Sequence, residues 1–161
     1  RDVGLTTWPS GVALATHVAS QGRAAWDGKA VLELGCGGSP LSSMAASMCG
    51  ARVVATDGRE DVLALAGRNL AANVGSGAVA TAKLWWGDAD DMDAVRGVLP
   101  EVDCIFAADV LYHEEGLAPL AATLAAMGKA GTQVFIAYQV RLHDFEGRFF
   151  ESVLPAAGVS V

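Results

Sequence analysis

The chain is poor in the residues that build covalent or metal-bound frameworks. Cys36, Cys49 and Cys104 are odd in number and widely spaced, with no C-x-x-C pair, and His17, His113 and His143 fall in three separate segments. Neither a disulfide framework nor a metal site is indicated, and a reducing intracellular compartment, the cytoplasm and also the nucleus, is expected. Long apolar runs are missing as well. The roughly 20 uninterrupted residues that cross a bilayer never accumulate, because Asp103 and Asp109 break the longest candidate and Arg52 and Asp57 bracket another. No leader of basic, apolar and small residues opens the chain. It begins at Arg1 and stops in an apolar stretch at Val161, so the expectation is a piece of a longer protein. Positive charge is in deficit: 11 Lys and Arg stand against 18 Asp and Glu, a formal net charge of −7. That argues against a broad nucleic-acid footprint. Apart from Gly75-Ser76-Gly77 there is no linker, repeat or low-complexity tract.

What is present is a core. The composition is 52% hydrophobic over 161 residues, enough for one compact domain and too little chain for two ordinary ones. Short β-branched runs alternate with segments of helical spacing. An opening segment and helix over 1–28, helical from about Ser10 to Ala25, precede a core over 29–161. Strands are predicted at Ala30–Leu34, Arg52–Thr56, Val79–Trp86, Val102–Ala107 and Gln133–Tyr138, and a sixth is expected to begin at Gly158–Val161. Helices are predicted at Pro40–Cys49, with Ser39 as N-cap and Pro40 in its first turn, and at Arg59–Asn73, Asp90–Val98, Gly116–Met127 and Asp144–Leu154. Strands that alternate with helices and lack strict period-two patterning imply an α/β fold: a Rossmann-like, doubly wound parallel sheet covered on both faces.

In such a sheet ligands sit beyond the carboxyl ends of the strands. The first strand ends in Glu33-Leu34-Gly35-Cys36-Gly37, where two glycines let the backbone turn sharply and approach a ligand. The dinucleotide fingerprint G-x-G-x-x-G fails, because its third glycine is replaced by Pro40. Loss of a donor there matters to a pyrophosphate and less to S-adenosylmethionine, which brings a carboxylate, an ammonium and a sulfonium. Glu33 adds negative charge beside that cation. Asp57 ends the second strand about 20 residues on, where a carboxylate can accept from both ribose hydroxyls; capping the next helix is its other role. The third strand ends in Leu84-Trp85-Trp86-Gly87-Asp88. Alternation turns Trp86 to the ligand and Trp85 away, with a packing role for both equally open. Trp8 either folds over the site or seals the core. Asp88 to Asp93 reads as a helix start, with Asp88 also in reach of an adenine amino group. The fourth strand ends in Ala108-Asp109-Val110-Leu111-Tyr112, a carboxylate and an aromatic at the floor of an acceptor site.

Taken together, Leu5 to Gly11, Glu33 to Gly37, Thr56-Asp57, Trp86-Gly87 and the D-x-x-Y element Asp109 to Tyr112 resemble the seven-strand protein-lysine methyltransferases of the family 16 or METTL21-like group, within the class I S-adenosylmethionine-dependent enzymes. The resemblance runs over essentially the whole chain. It departs from the family loop E-L-G-x-G-x-G at Ser39, and the last strands of a seven-strand sheet are not covered before Val161. It implies cofactor contacts from Trp8, Glu33, Gly35, Cys36, Gly37, Asp57, Trp86 and Ala108, and an acceptor channel shaped by Asp109 and Tyr112, with Tyr138 either lining that channel or packing in the core. The implied reaction is methyl transfer to a lysine of a protein substrate by a monomer that uses no metal, nucleic acid or membrane. A small-molecule methyltransferase and a non-catalytic cofactor-binding module are the competing readings; a nucleic-acid amino-methyltransferase is disfavoured because Asp109 to Tyr112 lacks the two prolines of that motif.

Overall fold

The computed structural model describes residues 3–141 and 143–160, with side chains at all of these except 3 and 143–145. Five strands, β1 (Ala30–Leu34), β2 (Arg52–Asp57), β3 (Val79–Lys83), β4 (Cys104–Ala108) and β5 (Gln133–Ala137), form one parallel sheet in the order β3-β2-β1-β4-β5. The register sets Leu34 beside Thr56 on one side and Ala107 on the other. The order reverses between β1 and β4, so the carboxyl ends of these two strands splay around a crevice.

Alternation along the strands sorts the core into two layers. Leu32 and Leu34 of β1 join Val54, Ile105 and Ala107 on one face. There they are covered by α5 (Ala89–Val98), α6 (Leu117–Met127) and the C-terminal helical segment through Phe149 and Leu154. Val31, Val53, Ala55 and Phe106 face the other way, against α1 (Pro9–Gln21), the short α2 (Arg23–Trp26), α3 (Leu41–Met48) and α4 (Glu60–Asn73). Phe106 sits edge-on to Trp26 and Phe135 at 5.3 and 5.7 Å between ring centroids. The Trp26 indole N–H donates to the Val18 carbonyl at 2.9 Å, so the polar edge of this buried ring is satisfied.

The structure departs from the sequence reading at several ends. The opening helix breaks at Gly22, whose φ of 68° no continuing helix adopts. Helix α3 starts at Leu41 with Pro40 as its cap residue, and the Ser39 hydroxyl accepts from Thr7 at 2.9 Å instead of capping. Strand β3 stops at Lys83: the Trp85 N–H donates to the Asp91 carboxylate at 2.9 Å, drawing the chain away from β2. The last helix is not continuous. α7 (His143–Arg148) widens to a single π-type turn at Phe149–Val153 before α8 (Leu154–Ala156), because Pro155 has no N–H to give the regular ladder. Residues 158–160 form a turn and irregular chain rather than a sixth strand, and Val161 lies outside the described residues.

Candidate cofactor cleft and acceptor site

A cleft of about 330 Å³ opens at the carboxyl end of the sheet. That volume falls in the range of small-molecule sites. The ten residues that the resemblance assigns to cofactor contacts and acceptor channel line it, Trp8, Glu33, Gly35, Cys36, Gly37, Asp57, Trp86, Ala108, Asp109 and Tyr112, while Asp88 and Tyr138, also weighed for the site, do not. They come from the ends of β1, β2, β3 and β4, which the sheet order brings together, and from the segment before α1, which the loop contacts of Gly4 and Thr7 hold in place.

The loop after β1 is shaped by two left-handed glycines, Gly35 at φ 68° and Gly37 at φ 60°. A Cβ on Gly35 would lie 3.1 Å from both Trp86 Cζ2 and Val110 Cγ1, so the backbone there runs hard against the cleft wall. Ser39, where the family pattern has glycine, does not have a positive φ, so a side chain is tolerated. The Gly38 N–H donates to the Gly4 carbonyl at 2.8 Å, and with the Thr7–Ser39 hydroxyl pair this straps residues 4–8 across the loop. Cys36 is buried, and burial, reinforced by the Glu33 and Asp57 charges, pushes its thiol well above the ordinary value, so it stays an S–H. The three cysteines are free, and no cluster of metal-ligating side chains occurs among the described residues.

Glu33 falls on the α3 side of the sheet by strand parity, and it is almost wholly buried. Its carboxylate accepts from the Ser43 N–H at 3.1 Å and from the Ser43 hydroxyl. Desolvation outweighs these bonds and pushes the carboxyl up from 4.5 to about 7. Asp57 braces the loop: one carboxylate oxygen accepts from the Gly37 N–H and the other from the Arg59 N–H, both at 3.1 Å. Arg59, not Asp57, occupies the cap position of α4, so the capping role weighed for Asp57 reduces to this one bond.

Both tryptophans after β3 line the cleft. Trp86 is wedged between Gly35 and the β4 end, while Trp85 lies over Gly58, where an added Cβ would meet the indole at 2.6 Å. The expectation that Trp85 turns away fails because β3 has ended and strand alternation no longer governs these residues. Gly58, directly after Asp57, was the sequence signal for a large neighbour. Asp88 does not line the cleft; it caps α5 by accepting from the Asp91 N–H at 2.9 Å.

Asp109 is the one non-glycine residue with positive φ, 58°, among those described. Such strain in a residue with a side chain persists only where the surroundings impose it; here the Asp109 N–H donates to the Ala137 carbonyl at 2.8 Å. The carboxylate is 2% exposed, and neither oxygen receives a well-aligned hydrogen bond. Its neighbour is Arg141, whose Nη1 lies 2.9 Å from Oδ1. The Arg141 guanidinium in turn sits 5.3 Å over the Trp8 ring. Tyr112 is half-exposed on the cleft, 4.4 Å from the His113 ring. Burial, then the Asp57 charge, pushes its phenol up, keeping it a neutral O–H. His113 also lines the cleft, its Nδ1 accepting from the Gly116 N–H at 2.9 Å. Tyr138 takes neither expected role: it is not part of the cleft lining, and it lies exposed, its ring 5.4 Å from that of Phe150, rather than in the core.

The parallel sheet, its reversal at β1/β4 and the glycine turn facing an acidic strand end define the class I methyltransferase fold. Two solved structures share it: a precorrin 8W decarboxylase from Methanobacterium thermoautotrophicum (18% identity, 95% of this chain and 73% of that one, TM-score 0.64) and a TehB-like SAM-dependent methyltransferase from Corynebacterium glutamicum (17% identity, 89% and 71%, TM-score 0.62). The chain belongs to the lysine methyltransferase family, whose profile it matches over residues 1–155. It is similar to the Protein N-lysine methyltransferase METTL21A of Danio rerio, 32% identical over 150 residues and 91% of this chain, and spans 65% of that relative's length.

Proposed function

We propose that the chain binds S-adenosylmethionine in this cleft and transfers its methyl group to the side-chain amine of a lysine in a protein substrate. The observation that carries this reading is the meeting of a two-glycine loop, the Asp57 carboxylate and the Trp86 face with Asp109 and Tyr112 in one cleft. The residues present fit the cofactor. Among the described residues the carboxylates of Asp57, Asp109 and Glu115 on the lining outnumber the guanidinium of Arg59, a balance suited to a ligand with a sulfonium and an ammonium. Gly35 and Gly37 bring backbone close to it, Asp57 stands where ribose hydroxyls would donate, and Leu84, Trp85 and Trp86 offer an apolar bed.

When bound, S-adenosylmethionine supplies a methyl on a positively charged sulfur, which a neutral amine takes in one in-line displacement as the C–S electron pair leaves with the sulfur. The side chains of this protein then have three tasks. Asp109, its buried carboxylate beside Arg141, fixes the end of β4 from which Val110 and Tyr112 face the cleft and so sets the floor on which the amine would lie. Tyr112 and the Trp8 segment wall the approach and exclude water, which favours the uncharged amine. The strap holds the loop that would carry the cofactor, and alignment of the two reactants would supply most of the rate. The proton shed by the methylated nitrogen passes to solvent at the mouth.

We propose action as a monomer, and the free thiols suit the cytoplasm or nucleus. No helix among the described residues is long and apolar enough to cross a membrane. The test is to incubate the full-length protein with methyl-labelled S-adenosylmethionine and a cell extract. Label recovered as methyllysine in protein, and reduced at least about 100-fold by Asp109→Ala, is the expected result. Label confined to small molecules would replace protein lysine with a small-molecule acceptor.

A further inference from the structure

Arg141 is not a cleft-lining residue, yet it is tied to two residues that are. It lies just after β5, where its backbone N–H donates at 2.8 Å to the buried Glu146 of α7. That bond fixes where its side chain starts. From there the guanidinium reaches Asp109 Oδ1 at 2.9 Å and covers the Trp8 ring at 5.3 Å. Three segments far apart in sequence, the strap before α1, the end of β4 and the turn after β5, are thus held by one cation.

The arrangement answers a conflict inside the methyl-transfer reading, on which this inference rests. A nearly buried carboxylate beside the acceptor stabilises the ammonium form, which has no lone pair for the displacement. We infer that Arg141 is a positioning residue: clamped between Trp8 and Asp109, it aligns the carboxylate and cancels its charge, so that the acceptor lysine is held as a neutral amine. The strained φ of 58° holds Asp109 at the cleft floor, where its buried charge acts on the amine across the floor and through no direct bond. The other charged or titratable groups around it, the buried Glu146 of α7 on the Arg141 N–H, and on the cleft Glu33 in β1, Asp57 and Arg59 at the β2 end, and Tyr112, His113 and Glu115 beyond β4, keep their identity when Arg141 alone is replaced, and a side-chain substitution leaves the N–H bond to Glu146 available.

The test is the pH profile of methyllysine formation by full-length protein, with labelled S-adenosylmethionine and a protein extract as acceptor, for wild type, Arg141→Met and Arg141→Lys. Methionine keeps an apolar stem against Trp8 and removes the charge. The rising limb of the Arg141→Met profile is expected about one pH unit above wild type, with most of the rate recovered on the alkaline side, while Arg141→Lys keeps the wild-type limb. A rate reduced by the same factor at every pH in Arg141→Met would overturn the inference and leave a structural tie. Should Arg141→Met not bind S-adenosylmethionine, Arg141→Lys decides alone: an undisplaced limb supports the role of charge, and a displaced one contradicts it. Absence of methyllysine from the wild-type reaction removes the underlying reading instead, so the two failures are distinct.

Discussion

At the scale of single residues, Glu33 shows how burial converts a side chain of ordinary chemistry into one that titrates near neutrality. Its carboxyl is uncharged in the folded chain up to about pH 7, whereas in the unfolded chain it ionises near 4.5. Between those values the folded state binds a proton that the unfolded state has released. The stability this group confers is therefore complete below about pH 4.5 and is lost as pH rises through about 7. The loss amounts to about 3 kcal/mol at most. Comparison of urea unfolding for wild type and Glu33→Gln at pH 5 and pH 8 checks it. Wild type should lose stability relative to the variant across that interval, and a constant difference would mean that the carboxyl ionises normally.

At the scale of elements, the ends of strands and helices decide what faces the cleft. Helix α5 begins where Asp88 accepts from the Asp91 N–H, and Asp91 in turn holds Lys83 and the Trp85 N–H. This capped start bends the chain after β3 and sets both indoles on the site. Asp88→Ala should cost about 1 kcal/mol, which lowers the thermal midpoint by a few degrees. Calorimetric affinity for S-adenosylmethionine should stay within about twofold, since Asp88 caps a helix and does not line the cleft. Element identity was legible from the alternation of β-branched runs with helical spacing, and β1 was placed to the residue. The ends were less so. Trp85 and Trp86 continue an apolar run that looks like strand, and only the hydrogen bond to Asp91, six residues on, stops it. Likewise Pro40 reads as a first-turn residue, while the pairing of Ser39 with Thr7 pulls the chain out of the helix before it.

At the scale of the whole molecule, the sheet order turns four separate sequence signals into one site. The glycine loop, Asp57, Trp86 and the Asp109 element could be located along the chain because each follows a strand, and the doubly wound rule places such positions at a common edge. What could not be read is any tie that depends on loops meeting across the top of that edge. The Arg141 clamp joins residues 8, 109 and 141, and the strap bonds Gly4 to Gly38. No local pattern announces either contact. The common edge is also the central claim, and calorimetric titration of S-adenosylmethionine into the full-length protein and its Gly35→Ala variant tests it most directly. A Cβ at residue 35 would meet Trp86 and Val110 at 3.1 Å in a left-handed backbone. One site per chain is expected in wild type, with affinity at least about tenfold weaker in the folded variant. No binding by wild type, or equal binding by the two, would contradict that claim.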